Sequence, residues 1–478
     1  MRTLIKNADI LSMRPGEAIF KGAIVIENGK VVKVIPQPYD ESSLQAEEAV
    51  DGEGMIVMPG MTNAHYHSYS NLLKGTENAL PLELWSLYTV AYGHSLTEED
   101  IELAVLLGAA EMIRSGVTGC IDHFPHLPKV DAALKAYEQS KMHVSVAPML
   151  HDIPDHRFLQ LDLPPHLMEK LETSQPKTIE EMKEFYIHLV YDWHEKKGRI
   201  RIMAGPNAPQ RCSTEALKLC KELSERFDLQ VHTHLLETKI QESYSRRFYK
   251  NGLVYELDQL GLLNDRLSVA HAVWLNSDEI DLLKDRGVFV IHNPASNMML
   301  GSGRAPIHDY LEKGVPLALG TDASNCGTAH SLFETMRLGA MIHRSSQPDF
   351  ETWATPYQML EMVCGNGAKI IGGSPRGRIE SGYDADLVFL NKTTTTWASD
   401  HHIPSQLVFH ETGQSVDSVM IKGEWVMRNN QILSFDEYHV IQRAQHRSQK
   451  IAENSTSSLA LADELKPHVK AFYNQFYK

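Results

Sequence analysis

Apolar residues along this chain change their period from one stretch to the next, and the changes divide it. Residues 3–10, 23–27 and 31–35 are short apolar runs of strand length, the last two joined by Asn28-Gly29, the dipeptide that a tight two-residue hairpin favours. Runs of the same style return at 386–390, 418–421 and 424–427, with Lys422-Gly423 as a second hairpin turn. Two all-β segments at opposite ends of a chain bury their apolar faces most simply against each other. The expectation is a small β-sandwich made from residues 1–57 and 373–440, with a second domain at 58–372 inserted between its halves. Over 441–478, Ile441, Ala444, Ile451, Leu459, Leu461 and Leu465 predict terminal helices packed on the outside, to which no chemistry is assigned.

Between the two β segments, strand-length runs alternate with amphipathic helical stretches. The strands are expected at 55–62, 117–122, 143–149, 200–204, 229–235, 267–271, 287–292 and 315–321. Helices are expected at 97–115, with an acidic first turn and Gly116 as its stop, and at 214–227 and 278–285. Eight such repeats predict an α/β fold, a closed (β/α)8 TIM barrel. The competing open, doubly wound sheet lacks its Gly-rich phosphate turn after any early strand. A barrel puts its chemistry on the loops at the carboxyl ends of the strands.

Composition narrows the partners. The formal net charge is −15, without a basic patch, which excludes a non-specific nucleic-acid surface and favours a small neutral or cationic substrate. No apolar run reaches membrane-spanning length and the first residues carry no cleavable leader pattern, so no membrane partner and a cytoplasmic location are expected. The five cysteines are scattered without a Cys-x-x-Cys pair, which argues against disulfides and thiolate zinc knuckles.

Polar residues cluster at the expected strand ends. His65 and His67 are two apart on extended backbone, so both imidazoles face one point. The fifth strand ends in His232-Thr233-His234 and Glu237, the sixth in His271, the seventh in His292-Asn293, the eighth in Asp322. Three imidazoles and a carboxylate suit zinc or ferrous iron with a position left for water, and the expected ligands are His65, His67, His234 and Asp322. His232, one pleat deeper, is the alternative ligand or else a residue behind the ligands. His271 is expected beside the reacting water, and His292 reads equally as functional or packing. His123, His126, His151 and His156 fall in the loops after strands two and three, where a pocket wall is one reading and exposure the default, and His401-His402 reads as surface. Strand four (Arg199-Ile200-Arg201-Ile202-Met203) offers no lysine to bridge a second metal, so one divalent ion is expected. Trp85 and Tyr88, in a loop at 80–92, are candidates for an aromatic roof over a flat substrate, with plain packing as the other reading, and a long loop at 151–176 is a second candidate wall.

These residues lie in motifs that resemble the amidohydrolase superfamily, in its branch of hydrolytic deaminases and chlorohydrolases. The matching segments are Pro59-Gly60 to His67, Leu72-Leu73-Lys74-Gly75, His234-Leu235-Leu236-Glu237-Thr238, Ala270-His271, His292-Asn293-Pro294-Ala295-Ser296-Asn297, Leu319-Gly320-Thr321-Asp322, Asn366-Gly367-Ala368-Lys369 and Gly382-Tyr383-Asp384-Ala385-Asp386-Leu387. The resemblance implies one metal, zinc first and iron second, held by His65, His67, His234 and Asp322, with Glu237 and His271 at the reacting atom. It also implies a homo-oligomer, a dimer or larger. Where related chains have a histidine and an aromatic after strand four, this one has Asn207-Ala208-Pro209-Gln210-Arg211, and Ala323 and Lys74 replace the usual glycine and arginine. Asn207, Gln210, His292 and Asn297 are therefore expected as substrate contacts beside Trp85 and Tyr88.

The expected chemistry is hydrolytic deamination of an aminated aromatic N-heterocycle of purine, pterin, pyrimidine or triazine type. Water on the metal, its pKa lowered to roughly 7, attacks the amino-bearing ring carbon. Glu237 gives a proton to the ring nitrogen, Asp322 takes the water's proton to the departing amine, and His271 holds the nucleophile in line. The alternatives are removal of chloride or an alkylamine from an s-triazine, cyclic amide hydrolysis, and a non-catalytic scaffold that would have lost its ligands.

Overall fold

The computed structural model describes residues 2–172, 176–399 and 401–477. Both chain ends enter one nine-stranded sheet. Arg2–Ile10 pairs antiparallel with Phe20–Glu27 and parallel with Met55–Pro59, which pairs antiparallel with Leu387–Asn391 and leads on to Val416–Ile421 and Glu424–Arg428. The two expected hairpin turns have the left-handed backbone such turns need, with φ of 50° and 80° at Asn28 and Gly29 and 49° and 72° at Lys422 and Gly423. They also touch. A Cβ on Gly423 would lie 2.8 Å from the Gly29 Cα, so the contact admits only glycine.

The run at 55–62, expected as one strand, is two. Met55–Pro59 belongs to the outer sheet and Met61–His67 to the inner one. Gly60 donates its N–H to the Asp386 carbonyl at 2.9 Å, while Met61 donates to the Gly116 carbonyl at 3.1 Å. A Cβ on Gly60 would strike the Thr118 side chain at 2.2 Å, so the crossing between sheets is made where no side chain stands in the way.

The inner strands are all parallel and form two arcs. One runs Gly205–Pro206, His143–Leu150, Val117–Phe124, Met61–His67 and Asp322–Ala323, with Ile200–Ile202 also on His143–Leu150. The other runs Val231–Leu235, Leu267–His271, Phe289–His292 and Leu317–Leu319. The run expected at 315–321 is thus broken at Gly320-Thr321, where N–H groups reach the His292 and His65 carbonyls at 3.1 Å each. The arcs also meet at an Ala204–Val231 bridge. Ala64, Ile121, Ala147, Met203, Ile291 and Ala318, drawn from both arcs, pack in one buried cluster with Ile370 and Ile371.

Helices cover these strands, and their ends follow sequence signals. Glu98–Arg114 starts in a capping box between Thr97 and Asp100, and Ser277–Asp285 in one between Asn276 and Glu279. Thr214–Phe227 is capped by Ser213. The segment at 80–92 is not a loop: Leu82–Ser95 is helical. Two short helices, Asp155–Phe158 and Pro165–Glu172, occupy the stretch expected as a loop at 151–176, of which residues 173–175 lie outside the described residues. The terminal helices Glu437–Asn454 and Thr456–Tyr473 pack on Glu98–Arg114 and Leu82–Ser95. Among the described residues no helix is long and apolar enough to cross a membrane, and the five cysteines are buried and unbridged.

Candidate metal centre and active site

The carboxyl ends of the inner strands carry a nest of buried imidazoles. Alternation along Met61–His67 turns His65 and His67 to one side, and Val231–Leu235 does the same for His232 and His234. The Nε2 atoms of His67 and His234 lie 3.4 Å apart, and those of His67 and His65 lie 3.2 and 3.5 Å from Asp322 Oδ1. Ligands bound at the usual zinc distances stand about 3.3 Å apart at the corners of a tetrahedron. The four groups therefore have the spacing, the donor types and the inward aim that a single divalent ion takes.

Tautomers sharpen the fit. A backbone carbonyl only accepts, so Nδ1 of His67 donates to the His123 carbonyl and Nδ1 of His234 to the Asn207 carbonyl, both at 2.6 Å. Each leaves an Nε2 lone pair facing the centre. His65 Nδ1 lies 2.8 Å from His232 Nε2, and His232 Nδ1 lies 2.8 Å from Ser268 Oγ, which donates on to the Val231 carbonyl. The relay runs one way, and it leaves His65 Nε2 buried with its lone pair toward the centre and no hydrogen bond among the described residues. His232 is thereby placed behind His65 instead of at the centre.

Electrostatics agree with this set. Burial pushes the His65 imidazole down to about 4 and those of His232 and His234 well below their usual value, which favours the neutral form that a metal-binding imidazole needs at His65 and His234 and that the relay needs at His232. Burial acts on His67 as well, but the adjoining Asp322 carboxylate outweighs it and raises that pKa. Asp322 would be raised by burial, yet contact with His65 and His67 holds it well below the carboxylate range. Burial raises Glu237, against the pull of His271, so this carboxyl is disposed to keep a proton. His271 Nε2 stands 3.8 Å from Glu237 and 3.7 Å from Asp322, and its Nδ1 donates to Asn297 Oδ1 at 2.9 Å. Backbone strain gathers at the same place, with positive φ at Leu236 (44°), His271 (72°), Ala272 (46°) and Asp322 (66°).

Residues 56–426 match the sequence pattern of the amidohydrolase family. The chain belongs to the amidohydrolase family. It is 32% identical over 457 residues to a 5'-deoxyadenosine deaminase of Methanosarcina mazei, covering 95% of this chain and 99% of the relative. A 5-methylthioadenosine/S-adenosylhomocysteine deaminase of Desulforudis audaxviator is 30% identical over 457 residues, covering 95% and 100%. Among solved structures, a zinc-bound adenosine deaminase of Xanthomonas campestris is similar with a TM-score of 0.85 at 25% identity, covering 94% of this chain and 98% of that one. A zinc-bound atrazine chlorohydrolase of Arthrobacter aurescens shares the fold, with a TM-score of 0.83 at 21% identity, covering 93% and 100%.

In this amidohydrolase the expected substrate contacts divide. Trp85 donates Nε1–H to the Asn325 carbonyl at 3.2 Å and packs against Ala323, Cys326 and Leu300, directly beside the turn that carries Asp322. Tyr88 faces the other way: its hydroxyl donates to Asp463 at 2.6 Å and its ring packs with Ala91 and Ala462. It is a docking residue for the terminal helix, since its hydroxyl and its ring both meet that helix. Asn207 acts through its carbonyl on His234, while its side chain contacts Met149 and accepts from Arg211. Asn297 is tied to His271. His292 is buried 3.5 Å from His343 Nε2, with Nδ1 unpartnered among the described residues, as is the buried Gln210 Oε1.

One histidine at the site is placed differently from the expectation, and two further residues, His330 and Glu83, carry no sequence signal. His123 is not in an exposed loop; the strand Val117–Phe124 extends through it, it is fully buried, and its ring stacks on His67 with centroids 5.9 Å apart. The apolar Phe124 beyond it is the sequence signal for the longer strand. His330 bonds Thr321 Oγ1 and Ser324 Oγ at 2.7 Å each, bracketing Asp322, and no local pattern marks it. Glu83 is buried in the helix Leu82–Ser95, where it accepts from Thr238 Oγ1 at 2.8 Å, next to Glu237.

Proposed function

We propose that this chain is a metal-dependent hydrolytic deaminase of an aminated aromatic N-heterocycle of the purine type, with His65, His67, His234 and Asp322 holding one zinc ion. The observation that carries the reading is the convergence of tautomer-fixed imidazole lone pairs and one carboxylate at tetrahedral spacing, with the buried Glu237 beside them. The relatives at 30 and 32% identity over nearly the whole chain are named as deaminases of adenosine-type compounds, which supports an amino leaving group over the chloride of the triazine enzyme. Zinc is present in the similar adenosine deaminase structure. The two parallel arcs, joined at Ala204–Val231 and at Gly320-Thr321, support reading residues 58–372 as one closed eight-stranded barrel, with the nine-stranded outer sheet as the separate small domain.

The bound ion supplies the Lewis-acid charge that makes water a nucleophile near neutral pH. The chain's own groups manage the protons. Glu237, inclined to stay protonated, donates to the ring nitrogen next to the attacked carbon as negative charge builds there. Asp322, whose carboxylate is held ionised, accepts one proton from water and returns it to the departing amine, while the proton left on the added hydroxyl passes back to Glu237 as the ring carbonyl forms. His271, fixed by Asn297, offers Nε2 between those two carboxyls and keeps the attacking oxygen in line.

Zinc-loaded protein should release ammonia from at least one member of a panel of aminopurines, aminopterins, aminopyrimidines and aminotriazines. Stripping the metal with a chelator should abolish release, and restoring zinc should recover it. Asp322→Ala should lose both the metal, by elemental analysis, and the activity. Silence across the panel from fully metal-loaded protein would defeat the deaminase reading.

A further inference from the structure

Glu83 is the strongest unexplained group outside the proposed metal set. It is 7% exposed, and its two carboxylate oxygens are treated differently. Oε1 accepts from Thr238, while Oε2 is fully buried with no hydrogen-bond partner among the described residues. An unpaired buried oxygen of this kind is expensive and persists where something absent from the protein completes it.

The neighbourhood shows which side is open. Thr238 belongs to the corner that also holds Glu237, whose N–H donates to Gln241 Oε1 at 2.8 Å and whose Oε1 accepts from Ser302 at 3.1 Å. Glu83, on its helix, is thus tied to the turn that carries Glu237; burial first, and the Glu237 charge among the lesser causes, lift Glu83 to about 7. Arg211 is near both carboxyls, but its guanidinium is committed to Asn207 at 3.1 Å and Asp155 at 2.9 Å. The phenols of Tyr473 and Tyr477, at the end of the chain, stand near enough for the Glu83 charge to add to the upward push of burial on them, yet neither bonds Oε2. Oε2 is thus left open beside the corner that holds Glu237.

We propose that Glu83 reads the far edge of the substrate, its free Oε2 accepting a hydrogen bond from an N–H or O–H donor on the side of the molecule away from the scissile amine. The inference rests on the deaminase reading and narrows it to heterocycles that carry such a donor. The donor comes either from the base itself, as a second exocyclic amine, or from a hydroxyl of a sugar attached to it. A hydrogen-bonding site of this type rejects an analogue lacking the donor far more strongly than an apolar wall does.

Two matched pairs separate the sources: adenine against 2,6-diaminopurine, and adenine against 5'-deoxyadenosine. In the zinc-loaded Glu83→Gln variant, Thr238 holds the amide oxygen and an NH2 replaces Oε2, so donor meets donor. The expected result is a fall of tenfold or more in kcat/KM for the donor-bearing member of one pair, carried by KM, with kcat within threefold and adenine within twofold. A loss confined to 2,6-diaminopurine assigns the base edge; one confined to 5'-deoxyadenosine assigns the sugar. Equal falls for every member, or unchanged ratios in both pairs, would overturn the proposal. If no compound releases ammonia from the wild-type protein, the deaminase reading fails separately, and calorimetric binding of the same pairs decides: a donor-bearing member bound equally by wild type and variant sinks the inference. Glu83→Asp, which withdraws the carboxylate by one methylene, gives the same readouts should the glutamine variant fail to fold.

Discussion

At the residue scale, what fixes the chemistry is the state of single protons. Backbone carbonyls at His123 and Asn207 hold His67 and His234 in one tautomer, and a His232–Ser268 relay does the same for His65. A carboxyl can be set in the same way, by burial, and Glu83 carries a consequence for stability. Its pKa rises from the ordinary 4.5 to about 7 on folding. The folded state therefore holds a proton that the unfolded state has released between those two values, so its contribution is greatest below pH 4.5 and is lost as pH rises to about 7. Glutamine has no such loss. In urea unfolding, Glu83→Gln should equal wild type near pH 4.5 and exceed it by up to about 3 kcal/mol at pH 8. A difference that stays flat between those pH values would show that Glu83 ionises in the fold as freely as in water.

At the scale of one element, Leu82–Ser95 explains why part of the site was hidden in the sequence. Leu82, Leu84, Trp85, Leu87, Tyr88, Val90 and Ala91 put apolar side chains around its whole circumference, because one face meets the Asp322 turn and another meets the terminal helix. A helix covered on two sides shows no single stripe, and periodicity reads it as a loop. The strand-end residues were legible for the opposite reason: alternation on extended backbone sends His65 and His67 to one side whatever surrounds them. Their Nδ1 partners were illegible, since carbonyls carry no residue identity. The terminal helices could be placed on the outside from their spacing, but not over the helix that carries Glu83. If Tyr88 only docks that tail, Tyr88→Phe loses one hydrogen bond to Asp463 and should lower stability by about 1 kcal/mol. Its kcat/KM for the best substrate should stay within twofold of wild type; a tenfold fall would return Tyr88 to the pocket wall.

At the scale of the whole molecule, the outer sheet and the inner strands must hold one another for the strand ends to stay in register. Gly60 is the covalent crossing, and a buried polar junction stands beside it. His143, at the start of His143–Leu150, lies 3.0 Å from the carboxylate of Asp386, which precedes the outer strand Leu387–Asn391 and also accepts the Lys422 N–H at 2.8 Å. Burial alone would raise Asp386, but His143 and the buried Arg376 hold it below its usual range, and burial with Arg376 keeps His143 low. The junction is thus an ionised carboxylate against a neutral imidazole between the two sheets, in the field of a buried guanidinium. Removing the carboxylate leaves Arg376 buried with less compensating charge, and a stranded buried charge generally costs about 3–5 kcal/mol. Asp384 also lies within the field of Arg376 and shares its charge, so Asp386→Ala should fall near the low end, about 3 kcal/mol by urea unfolding. Because His143 sits at the amino end of its strand and the histidine nest at the carboxyl ends, metal content at neutral pH should be unchanged while the midpoint drops. Loss of zinc from folded Asp386→Ala protein would instead mean that the junction reaches through the strand to the centre itself.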